Sequence, residues 1–196
     1  KPVTIRINET KTTKQQLKAR LESEGVTVQE VDGMDCALAI SGFDYLRALS
    51  SFREGLFYVQ DPAAKLSILC AGLPESGGNV MDCCAAPGGK SFAAAIAMGG
   101  RGSIVSCDVY PHKTALIENG AARLGLTNIT ARQQDASQVV PEWVGAMDTV
   151  IADVPCSGEG MFRKDTDSTG EWSIANVALC AGRGRRIIHD IWNALK

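Results

Sequence analysis

Asp82-Cys83-Cys84-Ala85-Ala86-Pro87-Gly88-Gly89-Lys90-Ser91 is the stretch on which the fold reading turns. Val80-Met81-Asp82 reads as the end of a short apolar strand, and residues from Lys90 to about Met98 read as a helix. Strand, glycine turn, helix is the opening unit of a parallel sheet, because parallel strands need a crossover and a helix supplies it. The Gly-Lys-Ser ending invites a phosphate-loop reading, but that pattern requires glycine where Cys84 stands. The dinucleotide pattern Gly-x-Gly-x-x-Gly does not occur here either. What remains is a turn of small residues whose glycines let a ligand approach the backbone.

The same alternation continues downstream. Ser103-Ile104-Val105-Ser106-Cys107 reads as a strand ending at Asp108, and Pro111 opens a helix to Leu124. Ile129 to Arg132 forms a third strand followed by Asp135, and Thr149-Val150-Ile151-Ala152 a fourth ending at Asp153. A long helix fills Ser173 to Leu195. Strands alternating with helices predict an α/β fold with a doubly wound, Rossmann-like parallel sheet over residues 56–196. Ligands of such sheets bind beyond the carboxyl ends of the strands, where the glycine turn, Asp108, Asp135 and Asp153 all fall. Asp108 is placed to accept both hydroxyls of a ribose, and Asp135 to accept from an adenine amino group. In series they describe an adenosine-shaped cleft.

Working upstream, residues 1–55 read as a small α/β unit. Val3 to Ile7 alternates as a strand, Thr13 caps a helix that Gly25 ends, and Val26-Thr27-Val28 and Ala37 to Ile40 are further short strands. No apolar run is long enough to span a membrane, and the opening residues already read as a strand, so a cytoplasmic protein is expected.

Of 196 residues, 20 are Lys or Arg and 22 Asp or Glu, a net charge of -2 that does not by itself announce a nucleic-acid binder. Basic residues cluster at Arg163-Lys164 and at Arg183, Arg185 and Arg186, which charge alone reads as a solvated face. The 7 cysteines include no Cys-x-x-Cys pair, and His112 and His189 are far from any cysteine cluster, so no metal site is expected and most should be small buried residues.

Cys156 is set apart by its context, Asp153-Val154-Pro155-Cys156-Ser157-Gly158, directly after the fourth strand. Amino-directed nucleic-acid methyltransferases carry an aromatic residue after Pro-Pro at this place; here a thiol follows the proline. A thiol suits methylation at carbon 5 of cytosine. That carbon becomes nucleophilic only after a thiolate adds to carbon 6, and a base must later remove the carbon-5 proton.

Taken together, Gly55-Leu56-Phe57-Tyr58-Val59-Gln60-Asp61, the run Asp82 to Lys90 and the run Asp153 to Gly158 resemble the Sun (Fmu, NOL/NOP/Sun) family of RNA cytosine-5 methyltransferases, whose bacterial members modify small-subunit (16S) ribosomal RNA. The resemblance covers nearly the whole chain. It implies that Cys84, Ala85, Ala86, Pro87, Gly88, Gly89 and Lys90, with Asp108, Asp135 and Asp153, hold S-adenosylmethionine. It implies that Asp153, Lys90 and Cys156 stand beside the target base, and that residues 1–55 match a small RNA-binding-like subdomain. In this family the cysteine of the Pro-Cys motif usually helps release the product, while the attacking cysteine lies in a later Thr-Cys motif. The chain stops at Asn193-Ala194-Leu195-Lys196, where the turn before that motif is expected, so the fragment itself is expected to be inactive. Gly158 to Asp165 resembles one bacterial branch and Gly55 to Asp108 another, which leaves the target nucleotide open. The alternatives are a non-catalytic cofactor- or RNA-binding module, and a DNA cytosine methyltransferase. The latter would use its Pro-Cys thiol as nucleophile but lacks the Cys-Ala-Ala-Pro-Gly-Gly-Lys loop.

Overall fold

A computed structural model describes residues 2–74, 77–162 and 166–196. The basic pair Arg163-Lys164 lies outside the described residues. The first part runs β1 (Val3–Ile7), α1 (Lys14–Ser23), β2 (Thr27–Glu30), β3 (Ala37–Ser41), the single turn α2 (Ser50–Arg53) and β4 (Phe57–Val59). The second runs α3 (Pro62–Leu69), β5 (Asn79–Asp82), α4 (Gly89–Ala97), β6 (Ser103–Asp108), α5 (Pro111–Leu124), β7 (Ile129–Gln133), β8 (Thr149–Ile151) and α6 (Ile174–Ile191).

The first sheet has the order β2-β3-β1-β4 and its strand pairs are antiparallel. Its fourth strand, β4, lies just past residue 55 and pairs Phe57 with Ile7. Neither β4 nor α3 was marked by the sequence pattern, each being too short to show a period. Thr13 caps α1 through a reciprocal box: Gln16 N donates to Thr13 Oγ1 at 3.3 Å, and Thr13 N donates to Gln16 Oε1 at 3.1 Å. Leu17 and Leu21 then fall on one face and pack on Ile5, Ile7, Leu38 and Phe57.

The second sheet is parallel with the order β7-β6-β5-β8. Alternation along its strands divides the core in two. Val80 and Ile104 face Phe92 of α4 and Ile117 of α5, whereas Met81 and Cys107 face Ile187 and Ile191 of α6. Helices therefore cover both faces, the doubly wound arrangement expected from the sequence. Pro111 opens α5 and Gly125 closes it in the left-handed conformation, φ 73°. Ser173 caps α6, whose last expected turn is instead a 3-10 turn at Trp192–Ala194.

The two sheets are joined through the end of α5. Asn8 Nδ2 donates to Gly55 O at 2.9 Å and to Leu124 O at 2.8 Å. Lys11 Nζ donates to Glu54 O and to Arg123 O. Arg123 reaches back to the carbonyls of Phe52 and Phe57 and lies 3.9 Å from the Phe52 ring centroid. These bonds satisfy carbonyls that a helix terminus leaves open.

Candidate active site

The glycine turn is positioned by its two neighbouring strands. Cys83 N donates to Ile151 O of β8 at 3.0 Å, and Ala85 N donates to Cys107 O of β6 at 2.8 Å. Gly88 then takes φ 107°, a conformation open to glycine, with the Phe92 ring packed where a Cβ would project. Under the turn, Ser91 Oγ donates to Asp82 Oδ2 at 2.7 Å and accepts from Ser106 Oγ at 2.8 Å. Asp82 is fully buried and its Oδ1 has no hydrogen-bond partner. Burial pushes its carboxyl up to about 6, with Ser91 opposing the shift.

A cavity of about 590 Å³ opens beyond the carboxyl ends of β5, β6, β7 and β8. Of the residues singled out in the sequence it brings together Cys84, Ala86, Asp108, Asp135, Asp153 and Cys156. Asp108 is buried and accepts from Tyr110 N at 3.1 Å. Asp135 Oδ1 accepts from Ser137 N at 2.9 Å and Ser137 Oγ at 2.8 Å, and these bonds hold its carboxyl below the ordinary aspartate value. Cys83 donates toward the Cys84 sulfur, which lowers the pKa of the Cys84 thiol and raises that of Cys83. Cys156 is exposed, whereas Cys107 is buried and burial pushes its thiol up to about 12.

The remaining residues of the turn stand behind the wall. Ala85, Pro87, Gly88 and Gly89 do not line the cavity; they shape the backbone that does. Lys90 does not line it either. Its ammonium pairs with Asp153 at 2.5 Å, and both residues border a second hollow of about 250 Å³ against Ser67, Ile68 and Ala71 of the α3 region. Among the described residues, no cluster of three or more His, Cys, Asp or Glu could hold a metal ion. No helix among them is long and apolar enough to cross a membrane.

The cavity is also lined by residues to which the sequence assigned no part in the site. Val109, Tyr110 and Lys113 come from the segment after β6, Gln134, Ala136 and Ser137 from the segment after β7, and Arg183, Arg186 and Ile187 from α6. The i, i+3 spacing of Arg183 and Arg186 was the available signal that they share one face.

Residues 71–196 match the family model described as 16S rRNA methyltransferase RsmB/F. The chain belongs to the RsmB/F family. It is 35% identical over 166 residues to the probable ribosomal RNA small subunit methyltransferase B of Bacillus subtilis, an alignment covering 84% of this chain and 36% of that protein. It is 29% identical over 199 residues to the ribosomal RNA small subunit methyltransferase F of Aeromonas hydrophila, covering 98% of this chain and 42% of that one. The chain thus spans less than half the length of these RsmB/F relatives. In fold it is similar to NSun6 from Pyrococcus horikoshii, solved with SFG, an S-adenosylmethionine analogue. The TM-score is 0.87 at 17% identity, over 100% of this chain and 73% of that one. The RsmB/F match runs from just before β5 through α6, and so includes every residue that lines the cavity.

Proposed function

We propose that this chain is the cofactor-binding core of an enzyme that transfers a methyl group from S-adenosylmethionine to carbon 5 of a cytosine in small-subunit ribosomal RNA, in the cytoplasm. The observation that carries the reading is the convergence of Asp108, Asp135, Asp153 and Cys156 on one cavity at the ends of four parallel strands. The cavity's volume, about 590 Å³, suits a nucleoside-sized ligand. Its lining suits this one: carboxylates to accept from the hydroxyls and amino groups, and the apolar Val109, Ala136 and Ile187 for a purine face. When bound, S-adenosylmethionine supplies an electrophilic methyl group on a sulfonium.

Within that reading Asp108 orients the ribose and Asp135 the adenine. Residues Cys84 to Lys90 hold the backbone close enough for the cofactor to lie along it. Asp153, fixed by Lys90, hydrogen-bonds the target base, and Cys156 stands beside that base from the loop after β8. Cys156 assists the step in which the carbon-5 proton leaves and the enzyme thiol is expelled from carbon 6. The thiolate that first adds to carbon 6 comes from a Thr-Cys motif, a pair that residues 1–196 do not contain. Residues 1–55 together with β4 form the small RNA-binding-like unit, and the residues from α3 onward the methyltransferase core. The joints from Asn8, Lys11 and Arg123 support a fixed placement of one on the other.

A tritium-release assay on unmodified small-subunit RNA tests the reading, comparing this chain with the complete protein it belongs to. The expected result is release by the complete protein and none by residues 1–196. Rapid release by this chain, abolished by Cys156→Ala, would make Cys156 the nucleophile. Inactivity of both would favour a non-catalytic binding module.

A further inference from the structure

The cavity has a cationic rim that the cofactor reading leaves without a role. Arg183 and Arg186 stand three residues apart on α6, share one of its faces, and both line the cavity. Both are exposed, and neither makes a hydrogen bond or ion pair among the described residues. Asp135 senses the two charges only as minor influences beside its bonds to Ser137. Lys113 of α5 adds a third cation to the cavity lining, its ammonium 5.0 Å from the Tyr110 ring centroid. Two like charges adjacent on a helix repel by a few tenths of a kcal/mol. Arg185 supplies the contrast: it is equally exposed on the same helix but does not line the cavity.

We propose that Arg183 and Arg186 bind backbone phosphates of the RNA strand that delivers its base to Cys156. The proposal rests on the function stated above and deepens it. A base can reach Asp153 and Cys156 only by leaving its stack and entering the cavity, and its phosphates then remain at the mouth. The acids inside, Asp108, Asp135 and Asp153, repel a phosphate, so the arginine rim is where one can be held. A guanidinium presents paired N–H donors that match phosphate oxygens two at a time.

The test uses the double variant Arg183→Gln/Arg186→Gln, with Arg185→Gln as a control of equal chemistry outside the cavity. Filter binding of unmodified small-subunit ribosomal RNA is measured over a salt series, and calorimetry follows S-adenosylhomocysteine. The double variant should bind RNA at least about tenfold more weakly, with a log–log salt slope smaller by roughly 1.4, the value for two contacts to single-stranded RNA. It should bind S-adenosylhomocysteine as wild type does, and Arg185→Gln should keep both affinities. Unchanged RNA affinity and slope, or an equal loss in Arg185→Gln, would overturn the proposal. Loss of S-adenosylhomocysteine affinity at an unchanged melting temperature would also overturn it and assign the arginines to the cofactor. A wild-type chain that binds neither ligand would instead remove the functional reading itself, and this proposal with it.

Discussion

Lys90 Nζ lies 2.5 Å from Asp153 Oδ2, tying the first turn of α4 to the loop that carries Cys156. The pair is partly solvent-exposed, so its contribution to stability is about 1 kcal/mol or less. Its contribution to function is larger if Asp153 must be held in place beside the base. Lys90→Ala should therefore leave the urea midpoint of this chain nearly unchanged and lower tritium release by the complete protein at least about tenfold. A large loss of stability with activity retained would make the pair structural.

Gly88 is the tightest point of the turn. An added Cβ would come within 2.8 Å of Phe92 Cε1, and φ 107° is unfavourable for any residue with a side chain. Gly88→Ala should destabilise the chain by roughly 2 kcal/mol or more and weaken S-adenosylhomocysteine binding, because the turn forms one wall of the cavity. Chemical denaturation and calorimetry on the same sample check both effects. Wild-type behaviour in both would show that the turn is free to rearrange.

Asp82 gives a pH signature. Its folded-state value of about 6 stands above the ordinary 3.8, so the native state favours the protonated carboxyl. The stability this adds is complete below about pH 4 and is lost as pH rises through about 6. The interval corresponds to roughly 3 kcal/mol at about 1.4 kcal/mol per pH unit. Asp82→Asn does not titrate, so wild type should gain on the variant by up to that amount as pH falls from about 7 to about 4. Urea midpoints at several pH values measure the difference. A difference that stays flat across the range would contradict the burial argument.

Much of this was legible in the sequence because the signals were local. Pro111 opens α5, Thr13 caps α1, and each strand of the parallel sheet ends near an acid. The turn was legible as a turn, but not which of its residues face the ligand. Ala86 and Cys84 line the cavity while Ala85 and Gly88 do not, and that depends on how β6 and β8 bind the backbone on either side. Arg183 and Arg186 are distant in sequence from Asp108 and Asp135. Only the packing of Ile187 against the sheet turns their face of α6 toward the same cavity. Charge alone read them as solvated, and residue type without packing could not do better.

The cysteines separate by environment. Cys156 is exposed at the cavity, while Cys107 is buried with its thiol pushed up to about 12. A maleimide reagent at neutral pH should therefore label Cys156 faster than Cys107 by about two orders of magnitude or more. Peptide mapping after short exposure reads the ratio, and Cys70, also exposed, serves as the internal standard. Equal protection of Cys156 and Cys107 would place Cys156 in the core and remove it from the proposed chemistry.

The most direct test of the central claim is isothermal titration of this chain with S-adenosylhomocysteine, beside the Asp108→Ala variant. Asp108 is buried at the end of β6 and lines the cavity, so its loss removes the acceptor proposed for the ribose hydroxyls. Binding by wild type, weakened at least about tenfold in a variant that melts normally, is the predicted result. No heat from a demonstrably folded wild-type chain, or equal affinity in Asp108→Ala, would contradict it.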